Sequence, residues 1–214
     1  MIRWLRTLSI FALFLALLAY LSLSVGDPSP SYRYTLVVDP GHGGIDPGAV
    51  GIGNVCEKGI TLSIAQLIYL KSLSYPALRV VLTRDEDVHL TLPDRIGRAN
   101  RMDADAYVSI HANSYYSPSV SGVETFVNED QGYATGSHRL AVFLQQYLVA
   151  RTGVRDRGVK RASLYLYRAK MPAALVEVGF LTNPLERARL QSLSYQDKLA
   201  DAILDAVIAF LDNS

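Results

Sequence analysis

Between Thr35 and Leu211 the spacing of apolar residues switches repeatedly between a period of two and a helical period, and this alternation constrains the fold more than any other feature. Thr35 to Asp39 reads as a first strand, Thr61 to Ser74 as an apolar-rich helix, and Arg79 to Thr83 as a second strand. Leu92 to Met102 follows as a charged helix, then Ala106 to His111 and Gly122 to Asn128 as strands. Leu140, Phe143, Leu144, Tyr147 and Leu148 form a stripe on a helix expected to begin near Gly136. Leu164 to Tyr167 and Ala174 to Val178 read as further strands, and Leu199, Ala202, Ile203, Ala206, Val207, Phe210 and Leu211 mark a closing amphipathic helix. The pattern predicts an α/β fold, a single domain with a central, mainly parallel mixed sheet flanked by helices. In such sheets ligands gather where strands end, so polar side chains at those ends carry the most weight.

Upstream, Arg3 and Arg6 precede an uncharged apolar run from Leu8 to Val25. That is the pattern of a signal peptide or N-terminal membrane anchor over residues 1–26. The run approaches the ~20 residues that span a bilayer, and Ser22, Ser24 and Gly26 offer small residues for cleavage, so removal and retention both fit. Residues 27–34, opening on Asp-Pro-Ser-Pro-Ser, read as a linker. The domain at 35–214 is expected outside the cytoplasm, secreted or anchored, because the positive N-terminus stays inside. A net charge of +1, without a basic run interleaved with aromatics, argues against nucleic acid as a partner. Cys56 is the lone cysteine and forms no internal disulfide. With no histidine beside it in sequence, it reads as a small packed residue and not a nucleophile.

Four residues stand out chemically. His42 lies in Asp39-Pro40-Gly41-His42-Gly43-Gly44, directly after an apolar strand, where the glycines clear space around it. His111 ends Ala106-Tyr107-Val108-Ser109-Ile110-His111, on one face with Tyr107 and Ser109. Glu177 interrupts the buried-type strand Ala174-Leu175-Val176-Glu177-Val178-Gly179, where an unpaired charge costs several kcal/mol, so it should face a cation, a metal or a catalytic proton. Glu57 follows the glycine-rich stretch Gly48 to Cys56 and precedes a helix. It reads equally as a first-turn glutamate favoured by the helix dipole or as a ligand. His89 and His138 lie in polar surroundings and read as surface or helix-start residues. Two histidines and a carboxylate make the ligand set of a catalytic zinc site, with a second carboxylate as base, and such a site hydrolyses amides.

Taken together the motifs resemble those of the zinc-dependent N-acetylmuramoyl-L-alanine amidases of bacterial cell-wall remodelling. The matching pieces are Val38 to Gly44 with Asp46-Pro47-Gly48-Ala49, Glu57-Lys58, Leu82-Thr83-Arg84, Ser109 to Asn113, Ser121 to Thr125 and Glu177 to Pro184, in the family's order. Gly59, in place of an acidic residue after Glu57-Lys58, and Cys56 depart from the family pattern. The resemblance implies zinc bound by His42, Glu57 and His111, with Glu177 as catalytic acid and base. It further implies peptidoglycan as substrate, cut between the muramic acid lactyl group and the alanine of the stem peptide. Asn113, Glu124 and Arg157 look like groove residues without an assigned role. The competing readings are a non-catalytic wall-binding module and a zinc peptidase acting within the stem. Some relatives carry an inserted helix that covers the zinc until a partner displaces it. Here Ala112 to Ser121 and Asp130 to Ser137 are too short for one, so no obligatory activator is expected. The membrane is expected as a partner only through the N-terminal segment, if that segment is retained.

Overall fold

The computed structural model describes residues 32–130 and 136–213. In chain order these form β1 (Tyr34–Pro40), β2 (Val50–Gly51), β3 (Val55–Cys56), α1 (Glu57–Ser72), β4 (Leu78–Leu82), α2 (Leu92–Arg101), β5 (Ala106–Asn113) and β6 (Val123–Asn128). They continue with α3 (Ser137–Thr152), β7 (Asp156–Ala162), a 3-10 turn at Tyr165–Arg168, β8 (Ala173–Phe180), α4 (Pro184–Leu190) and α5 (Leu193–Asp212). The sheet order is β4-β1-β5-β8-β6-β7. β4, β1, β5 and β8 run parallel, whereas β6 is antiparallel to β8 and parallel to β7. The expected mainly parallel mixed sheet is therefore present, with a reversed pair at one edge.

Strand alternation sorts the side chains onto two unlike faces. Leu36, Val38, Val108, Ile110, Ala174 and Val176 point to one face and pack on Ile64 and Ile68 of α1, Leu140 and Leu144 of α3, and Ile203 and Val207 of α5. Burying each large aliphatic side chain there contributes about 1.5–3 kcal/mol, so this helical layer carries most of the stability. The other face holds a smaller cluster in which Val37, Tyr107 and Ala173 meet Ile96 and Ala99 of α2 and Leu166 of the 3-10 turn. That cover is partial, and it leaves a cleft of about 430 Å³ running from His42 and His111 past Leu92 and Ile96 to Leu164 and Leu175.

Local chemistry sets the helix ends. Thr91 and Asp94 form a capping box at the start of α2, followed by Pro93 in the first turn. Asn183 caps α4 by accepting from the backbone N–H groups of Leu185 and Glu186. Several expectations need correction. Leu164 to Tyr167 is not a strand, because the Leu164 N–H donates to Asn128 Oδ1 (2.9 Å) and the chain turns into the 3-10 segment, where Leu166 is buried. The strand of this region is β7, whose Asp156, Arg157, Lys160 and Arg161 hide its period from a hydrophobic reading. α1 also begins at Glu57, before the expected Thr61, and α4 has no counterpart in the hydrophobic pattern. Arg33 and Tyr34 already donate backbone hydrogen bonds to Ala77 O, so the ordered domain starts slightly before residue 35. The expected signal or anchor, residues 1–26, lies outside the described residues. Among the described residues no helix is long and apolar enough to cross a membrane.

Candidate metal centre

His42, Glu57 and His111 converge at the carboxyl ends of β1 and β5 and the start of α1, each offering a donor atom within 4.8 Å of the others. Glu57 lies between the two rings. Its Oε2 is 3.1 Å from His42 Nε2 and its Oε1 2.9 Å from His111 Nδ1. The ring centroids are 4.9 Å apart and nearly perpendicular. His42 has φ 62°, a left-handed conformation that costs a non-glycine residue roughly 1–2 kcal/mol. The cost is met by what grips the loop: Arg95 Nη2 donates to His42 O (2.7 Å), and Gly43 and Asp46 exchange backbone hydrogen bonds. Two glycines are sterically required. A Cβ on Gly41 would stand 2.3 Å from His111 Cε1, and one on Gly48, at φ +67°, 2.6 Å from both Glu57 Oε2 and His42 Cδ2.

Sequence reasoning reached Asp46 only as part of a motif, without a role. Its Oδ2 sits 2.8 Å from His42 Nδ1 and so turns Nε2 toward Glu57, the arrangement by which a carboxylate fixes a ligating imidazole. The spacing His42 to Asp46 was the available signal. Glu57 is the first residue of α1, and its carboxylate also faces both histidines. Its oxygens accept from Ala49 N (2.8 Å) and Ala112 N (2.9 Å). Burial pushes its carboxyl upward, but hydrogen bonds from His111 and His42 outweigh this and hold it well below the usual carboxylate range. Burial alone would lower His42, yet the hydrogen bonds and charges of Glu57 and Asp46 raise it.

Beneath the donors lies a buried polar frame. Arg84 donates to Pro40 O (3.0 Å), Gly41 O (2.8 Å) and Lys58 O (2.9 Å), tying the His42 loop to the start of α1. Arg95 Nη1 pairs with Asp39 Oδ1 (2.8 Å), and Asp39 also accepts from Thr83 Oγ1 (2.5 Å) and Ser109 Oγ (2.9 Å). Thr83 and Arg84, read in sequence only as part of a motif, thus brace the strand end that presents His42.

Glu177 pairs in register with His111 on β5 and with Glu124 on β6, so the three side chains share the cleft face. Among the described residues its Oε2 is buried without a hydrogen-bond partner. Burial, with the negative charges of Glu57 and Glu124 nearby, pushes the Glu177 carboxyl well above the usual range. Glu124 is satisfied by contrast: Asn113 Nδ2 donates to it at 2.8 Å, Arg157 Nε at 2.6 Å, and Lys160 Nζ also binds it. Burial raises the Glu124 carboxyl, but Lys160 and Arg157 outweigh it and hold it low. Asn113, Glu124 and Arg157 therefore form one network beside Glu177. His89 lines the cleft, His138 stands in the first turn of α3, and Cys56 precedes α1 half-buried. Among the described residues only His42, Glu57 and His111 form a group able to hold a metal ion. Two imidazoles and one carboxylate suit zinc or a similar first-row ion, and the unpartnered oxygen of Glu177 on the next strand suits a proton acceptor beside it.

The chain matches the family model described as N-acetylmuramoyl-L-alanine amidase over residues 36–209. It is 41% identical over 184 residues to the amidase LytC of Bacillus subtilis, covering 85% of this chain and 36% of that protein. The crystal structure of an N-acetylmuramoyl-L-alanine amidase from Clostridium difficile 630 superposes with a TM-score of 0.83 at 37% identity, over 86% of this chain and all of that one. The CwlD amidase of Clostridioides difficile, solved in complex with the GerS lipoprotein, superposes with a TM-score of 0.78 at 30% identity, over 85% of this chain and all of that one.

Proposed function

The chain belongs to the N-acetylmuramoyl-L-alanine amidase family, and from that premise we propose that it is a zinc-dependent hydrolase of peptidoglycan, cutting the amide between the muramic acid lactyl group and the stem-peptide alanine. The observation that carries this reading is the convergence of His42, Glu57 and His111 beside the buried carboxyl of Glu177, whose Oε2 has no hydrogen-bond partner among the described residues. Held by those three residues, a zinc ion supplies Lewis acidity, bringing the pKa of water to about 7 and polarising the amide carbonyl. The chain's own residues do the rest. Glu177 takes the proton of the attacking water and delivers it to the departing alanine amine. Asp46 holds the His42 ring in one tautomer. Arg157 and Lys160 keep Glu124 ionised and engaged, so it does not compete with Glu177 for the proton.

The 112–121 segment contains no helix, so no helix from it covers His42 or His111. We therefore expect activity from the purified chain alone, with no lipoprotein of the kind bound to the CwlD relative. The same reading places the enzyme outside the cytoplasm, with residues 1–26 as signal or anchor. The test is incubation of the full chain with purified peptidoglycan, with and without a chelator, followed by mass spectrometry of the products and elemental analysis of the protein. Intact stem peptides with a free alanine amine, lost on chelation, are the expected result. Peptides cut internally would assign a stem peptidase, and binding without release a non-catalytic wall module.

A further inference from the structure

The end of the domain opposite the metal group carries an exposed apolar face. β1 and β5 run from that end toward His42 and His111, and α1 runs the other way, from Glu57 to Ser72. At about 1.5 Å per residue, this 16-residue helix puts its last turn roughly 24 Å from Glu57. There Tyr69 and Leu70 stand four and three residues before Leu73, on one side of the helix end. They are 43%, 58% and 68% exposed in that order, and Tyr75 in the following loop is 39% exposed. The backbone N–H groups of Arg33 and Tyr34 donate to Ala77 O (2.8 and 3.0 Å), which sets Tyr32, itself exposed, beside this loop. Between the two segments lies a hollow of about 220 Å³ lined by Tyr34, Tyr75, Pro76, Leu78, Ile208 and Leu211. Single exposed apolar residues are ordinary, but large ones grouped around an apolar hollow mark an interaction surface.

Charge and chain connectivity select the occupant. Lys71, the one Asp, Glu, Lys or Arg between Leu67 and Leu78, is held by Asp197 (2.7 Å) and Asp201 (2.9 Å). Arg33 and Asp212 line the same hollow with opposite charges, and Arg79 and Asp105 flank Thr35 from either side. These ionic groups are matched, so the face presents rings and aliphatic side chains and not a field that gathers a charged partner. In sequence only Gly26 to Ser31 separate Tyr32 from the uncharged apolar run Leu8 to Val25. On the anchor reading of residues 1–26, which this inference rests on, a bilayer is the surface that the chain brings to this end of the domain. Tyrosine and leucine suit its headgroup region, where amphipathic rings collect and an apolar face sinks about 5–10 Å. We propose that Tyr32, Tyr69, Leu70, Leu73 and Tyr75 dock the domain on the lipid surface to which it is anchored, turning the metal group outward. A tether fixes distance but not orientation, and this second contact supplies the orientation.

The experiment uses the full chain with phosphatidylcholine vesicles, and flotation reports whether it is anchored. Orientation is read by tryptophan fluorescence in a Trp4→Phe background, which removes the one native tryptophan. Leu73→Trp places the probe on the face, and Leu185→Trp, at the start of α4 after the carboxyl end of β8, is the control. Both positions are exposed, so neither substitution disturbs the core. Vesicles with brominated acyl chains should quench the tryptophan at 73 and shift its emission to the blue, and should leave the one at 185 unchanged. Raised salt should not reverse this, because apolar burial and not charge makes the contact. Leu70→Glu added to Leu73→Trp should weaken the quenching while the chain still floats. Quenching alike at 73 and 185, or at neither, in a chain that floats would keep the anchor and overturn the docking face. A blue shift at 73 without quenching by bromine would give the face to a second protein molecule and overturn the inference too. A chain that does not float loses both the anchor and the face.

Discussion

Replacing Glu177 by glutamine should slow the enzyme and, in the same molecule, make its metal-free form more stable. The carboxylate oxygen Oε2 is buried without a partner, and Glu57 and Glu124 repel its charge. Glutamine keeps the shape, removes the charge and supplies an N–H that can face either neighbouring carboxylate. Leaving a buried polar group unsatisfied costs about 1–3 kcal/mol. For a domain of this size each kcal/mol moves the melting temperature by about 2–4 °C. Metal-free Glu177→Gln should therefore melt roughly 2–12 °C above metal-free wild type at neutral pH. With the metal bound the gain should shrink, since a nearby cation offsets the same repulsion. Turnover on peptidoglycan should fall by roughly 10²-fold or more, the usual contribution of a general base, equivalent to about 2.7 kcal/mol of barrier. The assays are elemental analysis, initial rates by mass spectrometry, and thermal unfolding with and without chelator. Loss of metal, near-normal turnover, or a lower metal-free melting temperature would each refute the assigned role.

Glu57→Ala should behave oppositely, losing bound metal and activity together by elemental analysis, because it removes one of three donors. Gly48→Ala should leave the fold intact but weaken metal affinity in competition with a chromophoric chelator, since its Cβ would crowd Glu57 and His42 at 2.6 Å. Arg95→Ala strands the buried Asp39 carboxylate and should destabilise by about 3–5 kcal/mol in urea unfolding. For pH, His42 and Glu177 are both raised in the metal-free fold. The stability that goes with their protonated forms is complete below the ordinary values, about 6.5 and about 4.3, and is lost as pH rises through the raised ones. Metal-free protein should accordingly melt higher at pH 5.5 than at pH 7.5. Metal-loaded protein should do the reverse, because a protonated histidine cannot ligate; parallel trends in the two forms would contradict both assignments.

The legible parts of this chain are those where one local signal suffices. β1, β5 and β8 announce themselves as apolar runs, and His42, His111 and Glu177 stand at positions where a polar side chain needs a reason. Glu57 is ambiguous in sequence because both its roles are local facts about one residue, and only the folded chain brings His42 and His111 to it. The role of Asp46, a motif residue, stays hidden because its contact to His42 depends on a loop turned by a positive φ, which no hydrophobic period encodes. β7 is hidden because its pairing with β6 is made by backbone while its side chains are charged, and α4 because seven residues give too short a stripe. The network of Asn113, Glu124 and Arg157 needs three strands in register, and sequence distance says nothing of that.

The charged side chains of β7 have a consequence for how the enzyme behaves in numbers. Among the described residues β7 is an edge strand, with one flank of its backbone left out of the sheet's pairing. Arg161, exposed on that edge, makes a second copy a less favourable neighbour there, since identical edges would bring like charges together. An enzyme concentrated on a polymeric surface meets copies of itself far more often than one free in solution. One of the residues that obscure β7 in the sequence thus also helps to keep neighbouring molecules from zipping edge to edge into aggregates.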